Sequence, residues 1–137
     1  MSNYQVGYGH GDVVGVPFDF YAGATLVTGS TITMQTGVLI VAPPATIAAL
    51  TVNLPLNPVD GAVAEISVAG AGVNVTGLTV NANTGDALLG AAFVGPLTAL
   101  ATTAGAAIST VRYRYTLNGF QPASGAAVNP RTWCRVQ

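Results

Sequence analysis

Apolar and polar residues alternate in short runs along this chain, and Gly, Pro, Asn and Asp separate the runs. In "LTVNL" Leu50, Val52 and Leu54 share one face while Thr51 and Asn53 share the other. In "AEISV" Ala64, Ile66 and Val68 point one way and Glu65 and Ser67 the other. "TITM" and "VLIV" flank Gly37 with the same habit, and "VTGLTVNA" continues it through Leu78 and Val80. The clearest run is "VRYRYTL", which places Val111, Tyr113, Tyr115 and Leu117 inward and Arg112, Arg114 and Thr116 outward. The closing "TWCRVQ" puts Trp133, Arg135 and Gln137 on one face and Cys134 and Val136 on the other. Period-2 alternation marks half-buried strands, and Val, Thr, Ile and Tyr suit a pleated surface.

No segment carries a capped 3.6-residue period. The Ala-rich "GPLTALATTAGAA" (95–107) is broken by Gly, Pro and Thr and reads as strand and loop, with a short helical turn as the lesser alternative. Pro55 and Pro58 cannot donate to a sheet ladder, so they end the strand that Leu50 begins. "PVDG" (58–61) is then a turn: Pro58 fixes its own φ, Asp60 can bond nearby backbone and Gly61 tolerates positive φ. The chain is expected to reverse there and start the next strand at Ala62. "NANTGD" (81–86) and "NGFQPASG" (118–125) read as further turns or loops. Turn signals at about 8–12-residue spacing predict an all-β fold. The expectation is a single β-sandwich, jelly-roll-like, over residues 24–137. Residues 1–23 are expected to form an extended N-terminal arm, because four glycines precede Pro17 and three of the five tyrosines lie there. No internal repeat shows at solenoid periods.

Composition changes the picture from fold to partners. The 137 residues are 50% hydrophobic and 7% charged, against about 25% charged in ordinary globular chains. There is no lysine; the cations are Arg112, Arg114, Arg131 and Arg135, the acids Asp12, Asp19, Asp60, Glu65 and Asp86, and the net charge is −1. Four arginines make a poor footprint for a phosphate backbone, which argues against nucleic acid as a partner. Polar residues and prolines interrupt every apolar run before the ~18 residues of a membrane span. The N-terminus has no basic region followed by an apolar core, so no secretory signal is expected. A surface with so little charge favours association, and much of it is expected to be covered by partner proteins.

Chemistry-bearing residues are sparse. His10 in "GYGHGD" has no second histidine to work with, and the same glycine-rich stretch neither follows a strand nor opens a helix, as a phosphate loop would. Cys134 is single and fits no disulfide or metal spacing. The acids form no evident pair for hydrolysis, and Asn74 in "NVT" reads as a strand-edge or turn residue. No catalytic, cofactor or metal site is expected. Arg112 and Arg114, at i and i+2 of one strand, project from one face; they suit carboxylates or carbonyls of a partner, and a solvated sheet face is the equal alternative. With Tyr4, Tyr8, Phe18, Phe20 and Tyr21 of the arm they make up the expected protein interface, since aromatics and Arg are enriched in interface cores.

"TVNLPLNPVDGAVAEISV", "GLTVNANTGDALLG", "VRYRYTLNG" and "RTWCRVQ", in that order, resemble a module of small structural proteins of tailed bacteriophages and of the ends of phage fibre proteins. In that pattern a strand ends in Leu-Pro, an Asn-Pro-x-Asp-Gly turn follows, and the chain closes on Thr-Trp-x-Arg-Val. The resemblance spans about residues 46–137, and the pattern more often has an aromatic where Cys134 stands. It implies a virion structural protein with a β-sandwich fold. A standalone module of this size suits a capsid decoration, or cement, protein on the capsid exterior, bridging copies of the major capsid protein and associating with itself as a homo-dimer or homo-trimer. The alternative is a trimeric receptor-binding tip or small fibre protein that recognises a host surface glycan.

Overall fold

The computed structural model describes residues 2–3, 16–69, 74–90, 93–98, 110–117 and 131–136, with the backbone alone for 2–3 and 93–98. Every regular element among them is a strand. Strands β2 (Phe18–Ala22), β4 (Val38–Ala42) and β6 (Val63–Val68) lie side by side and parallel in one sheet. Strands β3 (Ser30–Thr33), β5 (Leu50–Asn53) and β7 (Asn74–Asn81) do the same in a second. The chain therefore crosses to the other sheet after every strand from β2 to β7, and successive circuits stack as rungs. Asp19, Leu39 and Ile66 occupy one position on three successive rungs in the first sheet. Ile32, Val52 and Val80 do so in the second.

The later strands close this stack. β8 (Ala87–Leu89), β10 (Thr110–Thr116) and β11 (Thr132–Arg135) extend the first sheet, and β9 (Phe93–Thr98) extends the second. β10 runs antiparallel to both β6 and β11, β8 is parallel to β11, and β9 is antiparallel to β7. The short β1 (Ser2–Asn3) pairs antiparallel with β2. The larger sheet has the order β1-β2-β4-β6-β10-β11-β8 and the smaller β3-β5-β7-β9.

One hydrophobic cluster draws on both sheets. Leu39, Val41, Ala64, Ile66, Val68, Val111, Tyr113, Tyr115 and Trp133 come from the larger, and Ile32, Leu50, Val52, Val75, Leu78 and Val80 from the smaller. These are the inward positions of the alternating runs, because successive strand side chains leave on opposite faces. Tyr115 and Trp133 face each other across β10 and β11 with ring centroids 5.1 Å apart and planes tilted by 54°, a geometry in the favourable aromatic range.

Residues 58–61 form the expected turn, with Ala62 N–H donating to Val59 O at 3.0 Å and Gly61 at φ 82°, and the chain passes there from β5 in the smaller sheet to β6 in the larger. Gly61 N–H donates to Tyr115 O at 2.9 Å and Tyr115 N–H to Ala62 O at 2.8 Å, so the turn hooks onto β10. Three expectations need correction. The antiparallel winding of a jelly roll is not what joins β2 to β7, whose pairs are all parallel. The arm boundary at residue 23 also moves: Phe18–Ala22 is an internal strand of the larger sheet, while residues 4–15 lie outside the described residues. Leu117, expected inward, is 46% exposed. β10 ends at Thr116, and the chain bends at Leu117, whose N–H donates to Asp60 Oδ1 at 3.0 Å.

Candidate interaction face and cleft

Parallel stacking brings the C-terminal ends of β3, β5 and β7 and the N-terminal ends of β4, β6 and β8 to one end of the molecule. Three crossovers span it, at residues 34–37, 54–62 and 82–86. Each is tied by an aspartate. Asp19, 1% exposed, accepts N–H groups of Gln35 at 2.7 Å and Thr36 at 2.9 Å on its Oδ2. Asp60 holds Leu117 as above. Asp86 Oδ1 accepts Arg131 Nε–H at 2.8 Å and the Tyr115 hydroxyl at 3.3 Å. Hydrogen bonds to a carboxylate are stronger than neutral ones, so these few acids fix loop geometry.

The outer face of the larger sheet gathers four of the residues expected at an interface. Phe18 and Phe20 leave β2 on that face, and Arg112 and Arg114 leave β10 on it, with β4 and β6 between. Phe20 pairs in register with Ile40, and Ile40 with Ser67. Val38 pairs with Glu65, and Glu65 with Arg112. Phe18, Val38 and Ile40 are half-buried and Phe20 is exposed. They form an apolar strip with a single ion pair at its border: Arg112 Nη2 lies 2.6 Å from Glu65 Oε2. This pair is solvated and adds little stability. Arg114 is exposed beyond it. Tyr21 falls on the opposite, inner face and packs against the core, which removes it from this surface. Tyr4 and Tyr8 lie outside the described residues.

The strip runs into a mostly apolar groove of ≈ 460 Å³ lined by Val16, Pro17, Gln35, Thr36, Gly37, Val38, Val63 and Glu65. The crossover at 54–62 carries Leu56 and Val59, 64% and 73% exposed. Its backbone is held by the two prolines, by Asn57 at φ 49° and by the bonds to β10. No alternation signal marks Leu56 or Val59 as surface residues; the flanking prolines were the available clue.

A second feature at this end was not foreseen. An open cleft of ≈ 570 Å³ is lined by Asn53, Val80, Asn81, Ala82, Asn83, Thr84, Asp86 and Leu88. Asn83 Nδ2 donates to Leu54 O, and Asn53 Nδ2 donates to Thr33 Oγ1 at 3.2 Å. The turn beneath is closed by Asp86 N–H donating to Asn83 O at 2.9 Å, with Gly85 at φ 91°. The Asp86 side chain is 1% exposed, and its Oδ2 receives no hydrogen bond among the described residues. Burial raises the Tyr115 phenol above its usual pKa, and the Asp86 charge raises it further. Burial does the same to Tyr113, opposed by Arg135. The Asp86–Arg131 pair joins residues 45 apart in sequence, so no local motif announces it. His10 lies outside the described residues; Cys134 is partly exposed on β11.

No family model matches this chain, and no curated protein or solved structure matches it either.

Proposed function

We propose that this protein is a non-enzymatic structural protein of a bacteriophage virion that decorates the capsid exterior and bridges neighbouring copies of the major capsid protein. The two facing sheets would serve as a β-sandwich scaffold. The observation that carries the reading is the apolar outer face of the larger sheet: Phe18, Phe20, Val38 and Ile40, continuing into the groove at Val16 and Val63. Contiguous exposed apolar area on a protein this poor in charge favours protein contact, and the bordering arginines suit an interface rim. Many weakly held copies on one shell would reinforce it by multivalency, with self-association as a homo-dimer or homo-trimer adding to the effect.

The test pairs one variant with two measurements. Phe20→Asp should leave the domain folded, because Phe20 faces outward, but should abolish binding to heads that lack the protein. Such heads should burst at lower temperature than complete ones, and copies per particle should scale with the shell. Heads that withstand heating equally well with and without the protein would refute the cement role.

The amide-lined cleft favours a second reading, a receptor-binding tip or small fibre protein that recognises a host glycan. Particles carrying it would bear few copies and would lose adsorption to cells, not heat resistance, when it is removed.

A further inference from the structure

We infer that the cleft at the C-terminal ends of β5 and β7 binds a neutral, polyhydroxylated ligand of the saccharide class. The inference deepens the receptor-binding reading and rests on it for its biological purpose, while the chemistry stands on the cleft alone.

The cleft presents fixed amides of both hydrogen-bonding senses. One amide hydrogen of Asn83 is committed to the Leu54 carbonyl, which orients the group and leaves its oxygen as an acceptor and its second N–H as a donor. Asn53 is oriented in the same way by its bond to Thr33. Asp86, at the base, has one carboxylate oxygen that receives no hydrogen among the described residues, and a buried acceptor without a donor is costly. The complementary ligand both donates and accepts at closely spaced points, and vicinal hydroxyls do both.

Charge disfavours a cation. Arg131 Nε lies 2.8 Å from Asp86 Oδ1 and balances Asp86, the one acid lining the cleft among the described residues. A cation placed here would meet that guanidinium. Calcium would also require about six to eight oxygens, which one shared carboxylate and a few amides do not provide. The half-buried Ala82 and Leu88 give the cleft apolar wall, suited to the C–H face of a sugar ring. Its volume of ≈ 570 Å³ falls within the range of roughly 300–1,000 Å³ usual for small-molecule sites. The bonds of Asn83 and Asp86 hold the walls in place before any ligand arrives, which lowers the ordering cost of binding.

The experiment is a titration of the full chain, followed by nuclear magnetic resonance of the side-chain amides, with methyl glucoside, methyl galactoside and N-acetylglucosamine, and separately with calcium chloride. Saturable shifts at Asn53, Asn81 and Asn83 with at least one sugar, and none with calcium, are expected. Asn81→Ala, at an exposed position, should fold normally and weaken that sugar about tenfold, the loss of one good hydrogen bond. Asp86→Asn is informative only if its spectrum remains native, so the Asn81 variant carries the test. No saturable shift with any of the three sugars overturns the inference, as does a response to calcium alone. If a sugar binds and Asn81→Ala particles still adsorb normally, the receptor reading fails and the cleft assignment stands. If removing the protein abolishes adsorption but no sugar binds, the cleft assignment fails and the receptor reading survives.

Discussion

A Cβ on Gly37 would lie 2.6 Å from the carbonyl oxygen of Val63. The same glycine's carbonyl accepts Glu65 N–H at 2.8 Å, so the crossover at 34–37 touches the start of β6 with backbone alone. Gly37→Ala should therefore push β4 and β6 apart at their first residues. The expected loss is ~1–3 kcal/mol, as for other overpacked sites, read from the denaturant midpoint. An unchanged midpoint would show that the two strands can separate without cost.

Asp19 supplies acceptors to two backbone N–H groups from a position with almost no exposure. Asp19→Ala should leave those donors unsatisfied and cost about 1–3 kcal/mol. Loss of protection against hydrogen exchange should be concentrated at Gln35 and Thr36. Uniform loss across the chain would mean that the aspartate does not act through this crossover.

Tyr113 and Tyr115 are both buried, but only Tyr115 has a partner for its hydroxyl among the described residues. Tyr115→Phe should cost about 1 kcal/mol by removing a hydrogen bond to Asp86. Tyr113→Phe should be neutral or stabilising, since it deletes a buried hydroxyl with no partner there. Tyr113→Ala should cost ~3–5 kcal/mol through the cavity it leaves. Equal effects of the two phenylalanine variants would contradict this assignment of the hydroxyls.

The raised phenol pKa values of Tyr113 and Tyr115 also set an alkaline limit. Below the unfolded value of about 10 both states hold the proton, and these groups contribute no pH dependence. Above it the unfolded chain loses protons that the folded chain retains, so stability falls until pH passes the folded values. Chemical denaturation midpoints should be insensitive to these groups up to about pH 10 and then drop. In the Tyr113→Phe variant the drop should be shallower.

The strands were legible where alternation was clean. Leu50, Val52, Leu54, Ala64, Ile66, Val68, Val111, Tyr113 and Tyr115 are all buried as their period requires. The pairing of those strands was not legible. A four-residue turn such as 58–61 fixes local direction, and it looks the same whether the chain pairs back or crosses to a second sheet. The rungs repeat at unequal spacing, twenty positions from Asp19 to Leu39 and twenty-seven from Leu39 to Ile66, because the second carries the Pro55–Ala62 insertion. β2 carries no apolar alternation toward the core because its inward residues are the polar Asp19, whose partners come from the next crossover, and Tyr21. Leu117 was misplaced because alternation was counted one residue past the strand end. The cleft depends on Asn53, Asn81, Asn83 and Asp86 meeting across two crossovers, which no single stretch encodes.

The alternation of strands between sheets has a consequence for how the chain comes off the ribosome. Strands β4 to β7 each pair with a strand one circuit earlier, so each finds its template already made when it emerges. Short closures of this kind carry a modest entropy cost, and domains build from the N-terminal side during synthesis. β6 is the exception on its far edge. Its antiparallel partner arrives much later, and the Ser67–Thr110 hydroxyl contact across that seam spans 43 positions. Until β10 is made, the nascent protein presents β6, with Ala64 and Ile66, as an open edge. That interval, between the synthesis of β6 and that of β10, is when the chain is most exposed to mispairing with its neighbours.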